Sequence, residues 1–312
     1  MDRTKILKGP AKIEFGDETF YSRGDVSVTF ASALFEKSSA AYGRHGQGVE
    51  DKQVTVAFTP VTYTAAQAAL LCPYATTAIG TSIYGATDAP LVITPINGQP
   101  LTIANAAVTT PPGMRFSAIQ ALWSGDVTFT GLVANEADPG LAASYYSWGT
   151  LASGEDIGAD WDPAKDIYLP YGGTYKTVDY AGLNGFAIEF DLSLTPYKPD
   201  NHGTVDMHMQ AHTANVTFVP SGASEAEIET LISNFGLAIG ASATTGDFVI
   251  AGPDEGDLQF TLKNATPGPE NARAYGAEAD RIGEVTLEAQ RRVNAGALTA
   301  LYEFGEVPAS GS

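Results

Sequence analysis

His208 and His212 stand four residues apart with Asp206 just upstream. On a strand, positions of one parity share a face, so these three could together ligate a metal ion. The matching stretch of the first half carries no histidines, and ordinary surface histidines are the expectation. Gly80-Thr81-Ser82-Ile83-Tyr84-Gly85 has the wrong serine-to-glycine spacing for a nucleophile elbow. Gly43-Arg44-His45-Gly46-Gln47-Gly48 lacks the Gly-Lys-Ser/Thr ending of a phosphate loop. Both read as turns. Cys72, the only cysteine, excludes an intrachain disulfide, and its place on the apolar side of a short helix before Pro73 predicts a buried structural thiol. His45 has nothing to orient it as an acid or base. No Ser/His/Asp set, carboxylate pair or cysteine cluster stands out. The expectation is no enzyme, no metal and no cofactor, with a hydrolase whose site is dispersed along the chain as a remaining alternative.

The elements that would position any site are β-rich. The chain has 312 residues, 44% of them hydrophobic, with 33 glycines and 18 prolines, a mixture that favours strands and turns. Seventeen basic against 36 acidic residues give a formal charge of −19, which repels nucleic acid and anionic membranes. No apolar run approaches the roughly 18 residues of a membrane span. The N-terminus, Met1-Asp2-Arg3-Thr4-Lys5, lacks the apolar core of a secretory signal.

An internal repeat organises the chain. Val54-Thr55-Val56-Ala57-Phe58-Thr59-Pro60 resembles Ala214-Asn215-Val216-Thr217-Phe218-Val219-Pro220, an offset of 218 − 58 = 160. Val26–Phe30 against Phe186–Phe190 and Ile79–Ser82 against Ile239–Ser242 keep that offset. Val92-Ile93 with Val249-Ile250, Asn105-Ala106 with Asn264-Ala265, Gly125–Phe129 with Gly283–Leu287, and Tyr146–Gly149 with Tyr302–Gly305 slip by only a few positions. Between the strands, Thr64-Ala65-Ala66-Gln67 and Ser224-Glu225-Ala226-Glu227 are both capping boxes, again 160 apart. Each predicts a helix of about three turns, closed by Pro73 in one copy and Gly236 in the other. The copies are placed at 1–135 and 166–312, with an acidic, turn-rich connector at 136–165. Apolar–polar alternation predicts strands through Val26–Phe30, Val54–Phe58, Val127–Gly131 and Phe186–Leu194, and others near 11–15, 90–95, 101–105, 114–120, 247–251 and 257–262. Long polar loops are expected at Tyr42–Gly48 and Lys198–Gly203. The fold class is therefore mainly β: two tandem copies of a β-sandwich or partial barrel, each with one flanking α-helix.

Several segments resemble the major tail (tail tube) proteins of long-tailed bacteriophages and prophages: Lys5–Ile13, Asp51–Pro60, Ala89–Pro95 and Gly125–Gly131. The resemblance is best over residues 1–150. It implies a virion protein, made in the bacterial cytoplasm, whose domains form rings that stack into a tube for DNA passage. Inner sheets of neighbouring domains join into one barrel, and loops and termini reach the next ring. A duplicated domain implies a trimer acting as a pseudo-hexamer. The implied partners are other copies of the chain, tape-measure, terminator and tip proteins, and transiently the genomic DNA, with no membrane. Polar positions that alternate with the apolar ones are then candidates to face the lumen: Ser27, Thr29, Asp126, Thr128, Glu189, Asp191, Glu284 and Thr286. Arg44, His45 and His202 are candidates for contact between rings. A different class of function, a glycan-binding module, would be marked by Trp123, Trp148 or Trp161 stacking on sugars.

Overall fold

The computed structural model describes residues 11–41, 43–61, 64–84, 87–95, 99–118, 122–132, 145–150, 171–198, 204–221, 223–268, 273–275, 280–294 and 297–309. The first copy runs β1 (Ala11–Phe15), β2 (Glu18–Ser22), β3 (Ser27–Ser39), β4 (Gly43–Phe58), β5 (Pro60–Val61), α1 (Ala65–Leu71), β6 (Ala89–Pro95), β7 (Leu101–Thr110), β8 (Met114–Phe116), β9 (Val127–Gly131) and β10 (Tyr146–Trp148). The second runs β11 (Gly172–Tyr175), β12 (Val178–Gly182), β13 (Phe186–Tyr197), β14 (Asp206–Phe218), β15 (Pro220–Ser221), α2 (Glu225–Leu231), β16 (Gly246–Ala251), β17 (Leu258–Pro267), β18 (Arg273–Tyr275), β19 (Asp280–Ile282), β20 (Val285–Glu288), β21 (Val293–Asn294), β22 (Ala297–Leu298) and β23 (Tyr302–Glu306).

The repeat seen in the sequence is a repeat of topology. The first sheet has the order β3-β4-β9-β7-β6-β1-β2-β5, with β10 beside β7. The second has β13-β14-β20-β17-β16-β11-β12-β15, with β23 beside β17. Strand for strand the orders are the same, and every pairing between these strands is antiparallel. Each sheet curls so that strands not adjacent in it face each other across an aromatic core. Phe15 on β1 meets Phe129 on β9 at 4.8 Å, and Phe218 on β14 meets Phe248 on β16 at 5.4 Å. The alternation read from the sequence is the cause: Val54, Val56 and Phe58 are buried, and the residues between them are not.

Both capping boxes form. The Gln67 and Glu227 amides donate to the Thr64 and Ser224 hydroxyls, while the cap amides donate to the Gln67 and Glu227 side chains. Each helix lies over its sheet in the same way, with Gln67 Nε2 donating to Thr19 O on β2 and Tyr180 on β12 donating to Glu227 O. The helices are shorter than expected, seven residues or about two turns each. Pro73 cannot supply the next amide donor. In the second copy the chain instead tightens into a 3-10 turn, Ser233–Gly236, so Gly236 ends that turn and not the helix.

Other expectations are corrected. Gly43–Gly48 belongs to the long strand β4, not to a loop, because β3 is long enough to pair with it almost to the hairpin end. Among the described residues of the strand expected near 114–120, Met114–Phe116 is strand, and residues 119 and 120 lie outside the described residues. Within the expected connector, Tyr146–Trp148 is a strand of the first sheet; residues 133–144 and 151–170 lie outside the described residues.

Candidate assembly interface

The polar positions singled out in the sequence lie on the sheet face opposite the core. In the first copy Ser27 and Thr29 on β3 stand opposite Ala57 and Thr55 on β4, and these in turn stand opposite Thr128 and Thr130 on β9. In the second copy Glu189 and Asp191 on β13 stand opposite Asn215 and Thr213, and Thr217 and Asn215 stand opposite Thr286 and Glu288. Ser27, Thr29, Glu189 and Asp191 are exposed; Thr128 and Thr286 are half-buried. Asp126 and Glu284, just ahead of β9 and β20, are exposed, and Asp126 accepts a hydrogen bond from the Thr59 hydroxyl. The two faces differ in charge: Asp126 and Glu284 are matched, but where the first copy has Thr29, Ala31 and Thr130 the second has carboxylates at 189, 191 and 288.

Both copies project a long hairpin, β3–β4 and β13–β14, and both hairpins bulge at the same step. The register shifts between Ala33 and Leu34 in one and between Ser193 and Leu194 in the other, again 160 residues apart. Phe30, Leu34, Phe35 and Val49 on the first hairpin are exposed, an apolar surface that a lone soluble domain seldom presents.

The two copies pack side by side. Strand β8, which belongs to the first copy in sequence, pairs with β13 at the edge of the second sheet, Met114 opposite Ile188 and Phe116 opposite Phe186. Gly185 makes this approach workable: it has φ +81°, and an added Cβ would lie 2.1 Å from the Phe116 carbonyl oxygen. Gly185→Ala is therefore expected to cost about 2–4 kcal/mol, combining overpacking with left-handed strain, and to appear as a lower denaturation midpoint.

On the other side of that hairpin, the turn after α1 seats on β14 and β23. Gly80 N–H donates to Met209 O at 2.7 Å, Met209 N–H to Thr81 O at 3.0 Å, Ile83 N–H to Met207 O at 2.9 Å, and Leu301 N–H to Ala75 O at 2.9 Å. The Tyr302 hydroxyl donates to Cys72 O at 3.0 Å, and His212 Nδ1 lies 3.0 Å from Tyr74 O. Cys72, Tyr74, Phe190, Met209, His212 and Tyr302 are all buried in this contact or beside it. Asp51 ties the first copy's β4 to the second hairpin, accepting from Thr204 N–H at 2.9 Å and Thr204 Oγ1 at 2.6 Å, with Lys198 Nζ at 2.7 Å. Burial alone would raise its pKa; Lys198 and Thr204 outweigh that and hold the carboxyl below its ordinary value.

No protein-family model matches this sequence, and no curated protein matches it.

The bulge also decides the histidines. With Gln210 extruded, Met209 and His212 share the buried face and His208 takes the other, so 208 and 212 do not converge on a metal. His208 pairs with Asp206 at 3.1 Å, while His212 is an interface residue, not the surface histidine expected. Among the described residues no group of three or more potential metal ligands is brought together. Burial pushes the Cys72 thiol well up, as suits a structural cysteine. Arg44 is exposed on β4 and pairs with Glu36 at 2.8 Å across the hairpin. His45 lies on the same strand, and His202 lies outside the described residues. Trp123 is buried and Trp148 exposed; Trp161 lies outside the described residues, so no tryptophan platform for sugars is assembled among the described residues. No described helix is long and apolar enough to cross a membrane.

The residues that sequence reasoning missed are those of the contact between copies, Tyr74, Gly185, Met209 and Tyr302. One signal was present: Gly185 breaks the repeat, since Asp25 stands 160 residues earlier.

Proposed function

We propose that this chain is a structural protein of the tail-tube type, a module for rings that stack into a conduit for DNA. The observation that carries this reading is the packing of two topologically equal copies side by side, one lending a strand to the other's sheet. Repeating between chains the part of this contact in which a turn seats on the neighbouring hairpin builds a ring, and three chains supply six modules. Exposed apolar residues on long hairpins support the same reading, because they call for burial between subunits.

The dimensions allow it. If each copy gives four strands to an inner wall, β3, β4, β9 and β7 in the first, six copies give about 24. At about 4.8 Å spacing and about 40° tilt the wall is roughly 45–50 Å across, backbone to backbone. Side chains leave on the order of 35–40 Å, enough for a duplex about 20 Å wide with water and ions around it. The polar face with Ser27, Thr29, Thr128, Glu189, Asp191 and Thr286 would line that lumen. Carboxylates and hydroxyls there release no counterions from DNA, so the duplex slides without being held. Screening confines their repulsion to about 8 Å at physiological salt, close to the expected gap.

Negative-stain microscopy of the concentrated protein tests the reading: rings or tubes of constant width are expected, and particles that stay single at every concentration would remove it. Assembled Glu189→Lys/Asp191→Lys tubes are expected to retain added duplex DNA that wild-type tubes release. The retention should fall steeply as salt rises, and equal release by both would count against a lumenal position for these residues.

A further inference from the structure

The contact inside one chain has an unfilled counterpart. Phe190 and Tyr302 stack edge-on at 4.8 Å and 60° in the second copy, and their equivalents Phe30 and Tyr146 do so at 4.7 Å and 59° in the first. Around the first pair, Phe190, Met209, His212, Leu301 and Tyr302 are buried beneath the turn after α1. Around the second, Phe30 is 48% and Val49 52% exposed, and with Lys52, Tyr145 and Tyr146 they line an open cleft of about 300 Å³. The covering segment is duplicated as well. Cys72–Ser82 corresponds to Ile232–Ser242, and the turn glycines Gly80 and Gly240 have φ +85° and +87°. In the second copy the tip of this turn is open: Phe235, in the place of Ala75, is 94% exposed. Cleft and turn do not meet within one chain, since both are open.

We propose that the turn after α2 of one molecule, led by Phe235, seats in the Phe30–Val49–Tyr146 cleft of a second copy of this chain, head to tail. The occupant is a second copy because the same cleft and the same turn are already joined once within the molecule. The side chains match in bulk. Tyr74 and Ala75 become Asn234 and Phe235 on the turn, while in the cleft Met209 becomes the smaller Val49 and His212 the flexible Lys52. By equivalence Gly240 N–H donates to Val49 O, Val49 N–H to Ala241 O, and the Tyr146 hydroxyl to Ile232 O. The β8 contact is not part of this template, because Asp25 replaces the glycine that admits Phe116. Such a contact is heterologous, and it closes a ring when the rotation returns to its start. The inference deepens the tube reading by naming the partner surface between chains.

The test uses the full chain. Phe235→Asp and Val49→Asp, both at exposed positions, should leave the thermal midpoint of the dilute protein unchanged. Each should raise the concentration needed for assembly on the order of 100-fold, as loss of a central anchor does. A double variant, Ala241→Cys with Val49→Cys, treated with a short bis-maleimide, should give covalent head-to-tail oligomers ending in closed trimers; neither single variant should. Tubes that form equally well with Asp at 235 and 49, and no cross-link, would overturn the cleft contact and leave the tube reading standing. Cross-linked rings that never stack would uphold the contact and overturn the tube. A chain that stays monomeric and uncross-linked at every concentration would overturn both.

Discussion

Tyr302→Ala is expected to lower the unfolding free energy by about 3–5 kcal/mol, whereas Tyr146→Ala in the same dilute protein should cost about 1 kcal/mol. The two tyrosines occupy equivalent places, Tyr302 opposite Leu262 on β17 and Tyr146 opposite Ile103 on β7. They differ in what lies on top of them. Tyr302 is buried, donates to Cys72 O at 3.0 Å and packs against Phe190, His212, Phe260 and Phe304. Truncating it opens a cavity and leaves the Cys72 carbonyl without that donor. Tyr146 has the open cleft beside it, so its neighbours can rearrange and water can enter. Urea denaturation of both variants below any assembly concentration measures the contrast. Equal losses would mean that the contact between copies adds no stability.

Stability should also fall as the pH drops from about 6.5 to about 4, through His212. Burial lowers its pKa to about 4 from an ordinary 6.5, partly opposed by the hydrogen bond with Tyr74 O and by Asp191, and reinforced by the Arg291 guanidinium. The unfolded chain binds the proton first, so the folded state loses ground throughout that window and levels off below it. The loss is on the order of 3 kcal/mol, since each pKa unit corresponds to about 1.4 kcal/mol. Above pH 6.5 the imidazole is neutral in both states and contributes no slope. Chemical denaturation at a series of pH values checks this. His212→Phe should flatten that part of the profile, and an unchanged slope in the variant would assign it to other groups.

Much of the architecture was legible because the repeat carries its own cross-check. Strand alternation at Val54–Phe58 and Ala214–Phe218, and the two capping boxes, are local signals read twice at one offset. The helix lengths were overread from the apolar runs: the first helix is capped at Cys72, the residue before Pro73, and in the second the chain tightens into a 3-10 turn before Gly236 is reached. The Gly43–Gly48 strand was missed since glycine and polar residues usually mark turns, and only pairing with β3 overrides that. The histidines were misplaced by one extruded residue: parity counts along a strand fail at a bulge, and a bulge has no mark in a single sequence. The contact between copies was hidden for a further reason. It joins residues far apart in the chain, such as Tyr74 with His212, and only the exchange of Asp25 for Gly185 betrayed that the copies have different surroundings.

The polar faces of the two copies carry one last consequence. Thr29, Ala31 and Thr130 in the first stand where Glu189, Asp191 and Glu288 stand in the second. In a bore built from three such chains, the backbone would repeat every 60° while the electrostatic potential repeated only every 120°. A duplex on the axis would then travel between three strongly negative stripes separated by three weakly negative ones, centred by a field of lower symmetry than the wall that produces it.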